Sequence, residues 1–93
     1  MTIAGDGTKA VTTAGTAEAL GSQATKCVYI LIQGHSDNTG SVYVGSSTVS
    51  KTGKRGIELP PGQSTGLPAG DLNDVYVDCD TSGDSCAFVY FSE

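Results

Sequence analysis

The residues best suited to chemistry crowd one acidic stretch, Asp78-Cys79-Asp80-Thr81-Ser82-Gly83-Asp84-Ser85-Cys86. Asp78, Asp80, Ser82 and Gly83 imitate the first, third, fifth and sixth positions of a calcium-binding loop, and Asp84 follows them. Oxygen ligands at alternate positions are what a hard cation needs. The imitation then fails. The closing position of such a loop calls for a bidentate Glu, and Val89 stands there. Helices should flank the loop, whereas this stretch reads as strand on both sides. Asp78, Asp80 and Asp84 remain weak calcium candidates, and a solvated acidic hairpin is the preferred account.

The same stretch offers a redox reading. A two-residue Ser82-Gly83 turn would set Thr81 opposite Asp84, Asp80 opposite Ser85 and Cys79 opposite Cys86. Val77 would then face Phe88, and Val75 would face Tyr90. A disulfide between Cys79 and Cys86 would staple that hairpin. Three cysteines, counting Cys27, are a poor disulfide framework, and a chain made in a reducing cytoplasm keeps its thiols. Buried thiols acting as small hydrophobes are therefore favoured over the disulfide. Cys27 opens a core strand and is expected to have no partner.

Other constellations carry less. His35 is the only histidine, at the exposed end of a strand, and nothing marks further ligands or a nucleophile to work with it. Ser36-Asp37-Asn38 and Lys51-Thr52-Gly53 spell two serine β-lactamase motifs, but the Ser-x-x-Lys element is missing and the chain is too short for that fold. No catalytic residue and no cofactor is expected, and the chain reads as a non-enzyme.

The elements that must position these residues are strands. Val28-Tyr29-Ile30, Val42-Tyr43-Val44, Val75-Tyr76-Val77 and Val89-Tyr90-Phe91 each centre a tyrosine among apolar, mostly β-branched residues. Such residues fit a pleated, half-buried surface, and period-two alternation turns one face of each strand to the core. Asp37-Asn38-Thr39-Gly40 is expected to join the first two as a hairpin. Pro60-Pro61-Gly62 should reverse the chain between paired strands at Gly56–Leu59 and Ser64–Leu67. Thr81 to Asp84 should close the C-terminal hairpin. Ala10 to Leu20 is a candidate edge strand, with a short helix over Ala17–Leu20 as the competitor. The fold expected is all-β, a small antiparallel sandwich or jelly roll of about six to eight short strands filling residues 11–93. Residues 1–10, small and without periodicity, read as a flexible arm.

Composition bounds the partners. The 93 residues make one domain, with ten acids against five bases and a net charge of −5. The last third holds Asp71, Asp74, Asp78, Asp80, Asp84 and Glu93 without a single Lys or Arg. No basic stripe exists to follow a phosphate backbone, so nucleic acid is not an expected partner. No apolar run, Val28 to Ile32 included, approaches the roughly 20 residues of a membrane span. The opening residues lack the basic and apolar regions of a secretion signal.

Several segments resemble a group of small β-sandwich proteins of tailed bacteriophages and prophages, often encoded among head genes. They are the Thr/Ala-rich Val11-Thr12-Thr13-Ala14-Gly15-Thr16-Ala17, Val42-Tyr43-Val44-Gly45, Ser47-Thr48-Val49-Ser50, the run from Gly56 to Ser64, and Asp71 to Asp78. The resemblance covers residues 11–93. It implies a virion component, most readily a capsid decoration (cement) protein on the outer surface of the head, assembled in the host cytoplasm. It further implies the major capsid protein as partner and self-association as trimers at local three-fold positions. On that reading the arm, with Thr2, Ile3, Ala4 and Lys9 as contacts, orders on the shell and loses its entropy only when bound. The alternative is a tail, fibre or spike module that recognises a host glycan or protein through exposed tyrosines.

Overall fold

A computed structural model describes residues 1–93 as eight strands and one turn of 3-10 helix. The strands are β1 (Thr2–Ala10), β2 (Glu18–Ala19), β3 (Tyr29–Gly34), β4 (Val42–Gly45), β5 (Ile57–Leu59), β6 (Ser64–Pro68), β7 (Tyr76–Cys79) and β8 (Ser85–Ser92), with the helical turn at Leu72–Asp74. They form two antiparallel four-stranded sheets, ordered β1-β8-β3-β6 and β2-β7-β4-β5. The inward residues of both make one core: Ile30, Ile32, Cys86 and Phe88 from the first sheet meet Val42, Val44, Leu59, Val77 and Cys79 from the second. The protein is a small all-β sandwich. All four tyrosine triplets lie at or within strands, as their β-branched composition requires.

The connections differ from expectation. Of the steps between consecutive strands, only β4 to β5 stays within a sheet. The three turns read as hairpins are arches that carry the chain across the gap between the layers, about 10 Å in such packings. Asp37–Gly40 leads from β3 to β4, Pro60–Gly62 from β5 to β6, and Thr81–Asp84 from β7 to β8, in each case between sheets. Their polar groups bond sideways to other segments instead of across a ladder. Asn38 exchanges both amide hydrogen bonds with the backbone of Ser85. The Asp84 carboxylate accepts from the Thr39 and Gly40 amides. The amide of Gly83 donates to the Val11 carbonyl. Gly62, at φ 86°, donates its amide to the Gly34 carbonyl, and a Cβ on Gly34 would meet the Leu59 carbonyl oxygen at 2.9 Å.

The N-terminal segment is likewise not an arm. Thr2–Ala10 is the longest strand of the molecule and pairs with β8 from Thr2↔Ser92 to Ala10↔Ser85, with a bulge between Ile3 and Gly5. The missing hydrophobic period has a physical cause: its inward positions are Gly5, Gly7 and Lys9. The rings of Tyr90 and Phe88 occupy the space above the two glycines, so a Cβ on Gly5 would collide with the Tyr90 hydroxyl. The core side chains are supplied by β8. Lys9 instead ion-pairs with Glu18 of β2 at 2.9 Å, tying the edge of one sheet to the edge of the other. The domain therefore spans residues 2–92. Within Ala10–Leu20 only Glu18–Ala19 is strand, and no helix forms there. Thr12 to Ala17 are a loop, turned by Gly15 at φ 94°.

Candidate functional site: the uncovered face of one sheet

The acidic residues are committed to holding loops. Asp78 sits outward on β7 yet is fully buried, because two loops fold over it. Its carboxylate accepts from the amides of Gly15, Lys51 and Cys79, each at 2.8 Å. Three donors offset the cost of burying that charge. Asp80 accepts from the Ser41 amide and the Tyr43 hydroxyl. Asp84 serves the β3–β4 arch as described. Each of Asp78, Asp80 and Asp84 thus caps a different piece of backbone, and no group of three or more His, Cys, Asp or Glu gathers to hold a metal ion. The calcium-loop reading fails because the candidate ligands diverge.

The disulfide register fails for the reason the hairpin does. Cys79 lies beside Val42 in one sheet, while Cys86 lies beside Gly34 and Lys9 in the other. All three cysteines are free and buried. Burial pushes the Cys79 thiol up to about 11 and the Cys86 thiol up to about 12, and nearby aspartates add to the effect at Cys79. Both stay protonated at neutral pH and are poor nucleophiles. The Cys27 thiol, raised chiefly by burial and then by Asp71 and Asp74, donates to the Ala69 carbonyl. His35 follows β3 directly, and its Nδ1 accepts from the Asp37 amide at 3.2 Å. Ser36-Asp37-Asn38 belongs to an arch, and Lys51-Thr52-Gly53 to a loop over the other sheet; nothing brings the two together.

The tyrosines divide among different surroundings. Tyr43 points outward from β4 but has no exposed surface, because Lys54 spans its ring at 5.7 Å and donates to its hydroxyl at 3.3 Å. Lys54 holds this position from a left-handed backbone, φ 51°, unusual for a side chain of its size. Tyr90 points inward against the core, and Tyr29 points outward.

The outer face of the β1-β8-β3-β6 sheet has no such cover. Register places Tyr29 beside Phe91 and Pro68, Leu31 beside Val89 and Gly66, and Gln33 beside Ala87 and Ser64, with Ile3 next to Phe91. Leu31 is 45% exposed and Ile3 67%. The Tyr29 and Phe91 rings are tilted at 56° with centroids 6.2 Å apart. Gly66 leaves room for the Tyr29 ring, whose hydroxyl would collide with a Cβ at that position. Beside the rings lies a shallow open trough of about 470 Å³, with Leu31, Ala87 and Val89 on its floor and Asp6, Gln33 and Ser64 at its rim.

No family model, curated protein or solved structure matches the chain.

No helix is long and apolar enough to cross a membrane. The open apolar face of Tyr29, Leu31, Val89 and Phe91 is the surface that the molecule's own chain leaves uncovered. It was missed in the sequence, although the signal is there: Val28 to Ile32 and Ala87 to Phe91 are unbroken apolar runs. A strand apolar at every position is apolar on both faces.

Proposed function

We propose that the protein is a non-enzymatic structural component of a tailed-phage virion, a decoration protein that binds the outside of the assembled head. The observation that carries this reading is the uncovered apolar face formed by Tyr29, Leu31, Val89, Phe91 and Ile3. An exposed patch of this kind on a small domain is a contact surface in waiting. Its strands are held rigid from behind by the core, so binding would cost little ordering. The strand order, β1-β8-β3-β6 over β2-β7-β4-β5 with nearly every connection changing sheet, supports the jelly-roll form of the sandwich that the strand spacing suggests. Repeated over many copies, modest contacts with the major capsid protein add through multivalency and brace the shell against internal pressure.

The face also lends some support to a second reading. Tyr29 and Phe91 offer stacking surface, and Gln33, four residues further along β3, and Ser64 beside it offer hydrogen-bonding groups; an extended glycan could use both. Quantitative mass spectrometry of purified particles separates the two. Copies at a simple fraction of the shell subunits are the expected result. A handful per particle would transfer the protein to the tail or spike, and complete absence would overturn the virion reading.

A further inference from the structure

The four sheet edges are treated very differently. An edge strand exposes unpaired amides and carbonyls, and proteins shorten, kink or interrupt such edges to prevent unwanted pairing. Here β2 has 2 residues, β5 has 3, and β6 has 5 and ends on Pro68. The fourth edge, β1, has 9 residues and no proline, and its outer flank pairs with no other strand. Its one inward charge, Lys9, is neutralised by Glu18 and so does little to repel an incoming strand.

We propose that the free edge of β1 pairs antiparallel with β1 of a second copy, in a register centred on Gly7, joining two β1-β8-β3-β6 sheets into one. The sequence of the strand is self-complementary in that register. Gly7 meets Gly7, Asp6 meets Thr8, and Gly5 meets Lys9, so no charge lies directly opposite its like. Strand pairs of this kind keep opposite residues on the same face. The inner face therefore carries Gly5, Gly7 and Lys9 from each copy, and the Tyr90 ring of one copy lies over the glycine that meets the other copy's lysine. A chain of net charge −5 would repel its copy along most surfaces, but β1 holds one acid and one base. Pairing also sets the two uncovered faces side by side, with Asp6 and Thr8 of each copy forming a polar strip along the new seam between the apolar patches.

The association is two-fold, in place of the three-fold one that the phage resemblance implies, and it stands apart from the virion reading. A protein that is monomeric alone would overturn it and leave the particle copy number untouched. The test is sedimentation equilibrium of the full chain from micromolar to millimolar concentration, with two variants at the exposed Thr8. The expected wild-type behaviour is a reversible equilibrium between the 9.4 kDa chain and a species of twice that mass. Thr8→Asp sets aspartate opposite Asp6 twice per dimer and should raise the dissociation constant about three- to ten-fold. Thr8→Lys sets lysine opposite Asp6 twice and should lower it by a similar factor. Circular dichroism matching wild type establishes that both variants are folded. A monomer at millimolar concentration, a trimer, or two variants shifting in the same direction would each overturn the pairing. So would amide exchange along the outer flank of β1 that stays fast at the highest concentration.

Discussion

The two sheets turn opposite kinds of surface outward. The outer face of β2-β7-β4-β5 carries Tyr43, Asp78 and Glu58, and loops cover it: Gly15 and Lys51 dock on the Asp78 carboxylate while Lys54 lies over the Tyr43 ring. The outer face of β1-β8-β3-β6 carries Tyr29, Leu31, Val89 and Phe91, and nothing covers it. Polar groups on a strand face are the ones the chain has spent on its own loops, and the apolar ones are left free. In so small a domain the loop residues suffice to cover one side only. The lesson is that burial and polarity can be inverted: Asp78, a charged outward position, is wholly buried because its carboxylate fastens two loops, whereas Glu58 on the same face stays exposed.

The largest effect should come from unfastening the covered face. Asp78→Ala leaves the amides of Gly15, Lys51 and Cys79 without their acceptor, and buried unsatisfied donors cost roughly 1–3 kcal/mol each. The expected loss is about 3–4 kcal/mol, or roughly 15–25 °C in Tm for a domain of this size, read by thermal circular dichroism. A loss below 1 kcal/mol would mean the loops hold without the carboxylate and would remove the contrast between the faces.

A second test probes the layer between the two faces. The Cys79 and Cys86 thiols are held protonated in the fold, raised from 9.0 to about 11 and about 12. Their unfolded counterparts ionise first, so their contribution is complete below pH 9 and is lost as pH rises through the folded values. The unfolding free energy read from urea titrations should fall steeply above pH 9, by on the order of 2–3 kcal/mol per thiol at pH 11, and Cys86→Ala should flatten that limb. Thiol reagents at pH 8 should label the native protein far more slowly than the unfolded one.

Smaller again is the link between the sheets at their common edge. The hydrogen bond from Lys9 is the main cause that holds the Glu18 carboxyl below its ordinary 4.5, and the Thr12 amide adds to it. A depressed folded value gives stability that is present above pH 4.5 and is lost as the pH falls through the folded value. The pair is partly exposed, so Glu18→Gln should cost only about 0.5 kcal/mol at pH 7 and nothing measurable at pH 2. The smallest stability effect belongs to the uncovered face: Leu31→Asp should change unfolding free energy by roughly 0.5 kcal/mol or less. The same change should weaken binding to capsids at least ten-fold, measured by co-sedimentation. Full binding by Leu31→Asp would place the contact elsewhere.

The strands were legible in the sequence because a local cause, β-branched and aromatic composition around Tyr29, Tyr43, Tyr76 and Tyr90, decides them. Their partners were not. Asn38, Pro61 and Gly83 mark a reversal of direction, but whether the chain returns beside itself or crosses to the other layer depends on distant groups such as Ser85, Gly34 and Val11. β1 escaped notice because its core side chains are borrowed from Tyr90 and Phe88. Asp78 looked like a ligand because the loops that consume its oxygens lie 27 and 63 residues away in sequence.

The pairing of β1 with β8 also has a consequence for how the protein is made. The first strand to leave the ribosome waits for the last, and only β4 and β5 can pair with a sequence neighbour in the meantime. Contacts of such long range delay folding into the millisecond-to-second range. Until β8 emerges the apolar run of β3 has no finished layer to join, so the nascent chain is at its most aggregation-prone before residues 85–92 are made. The first sheet can close only once β8 is available, and a chain cut short before Ser85 would lose both the middle of that sheet and the partner of β1.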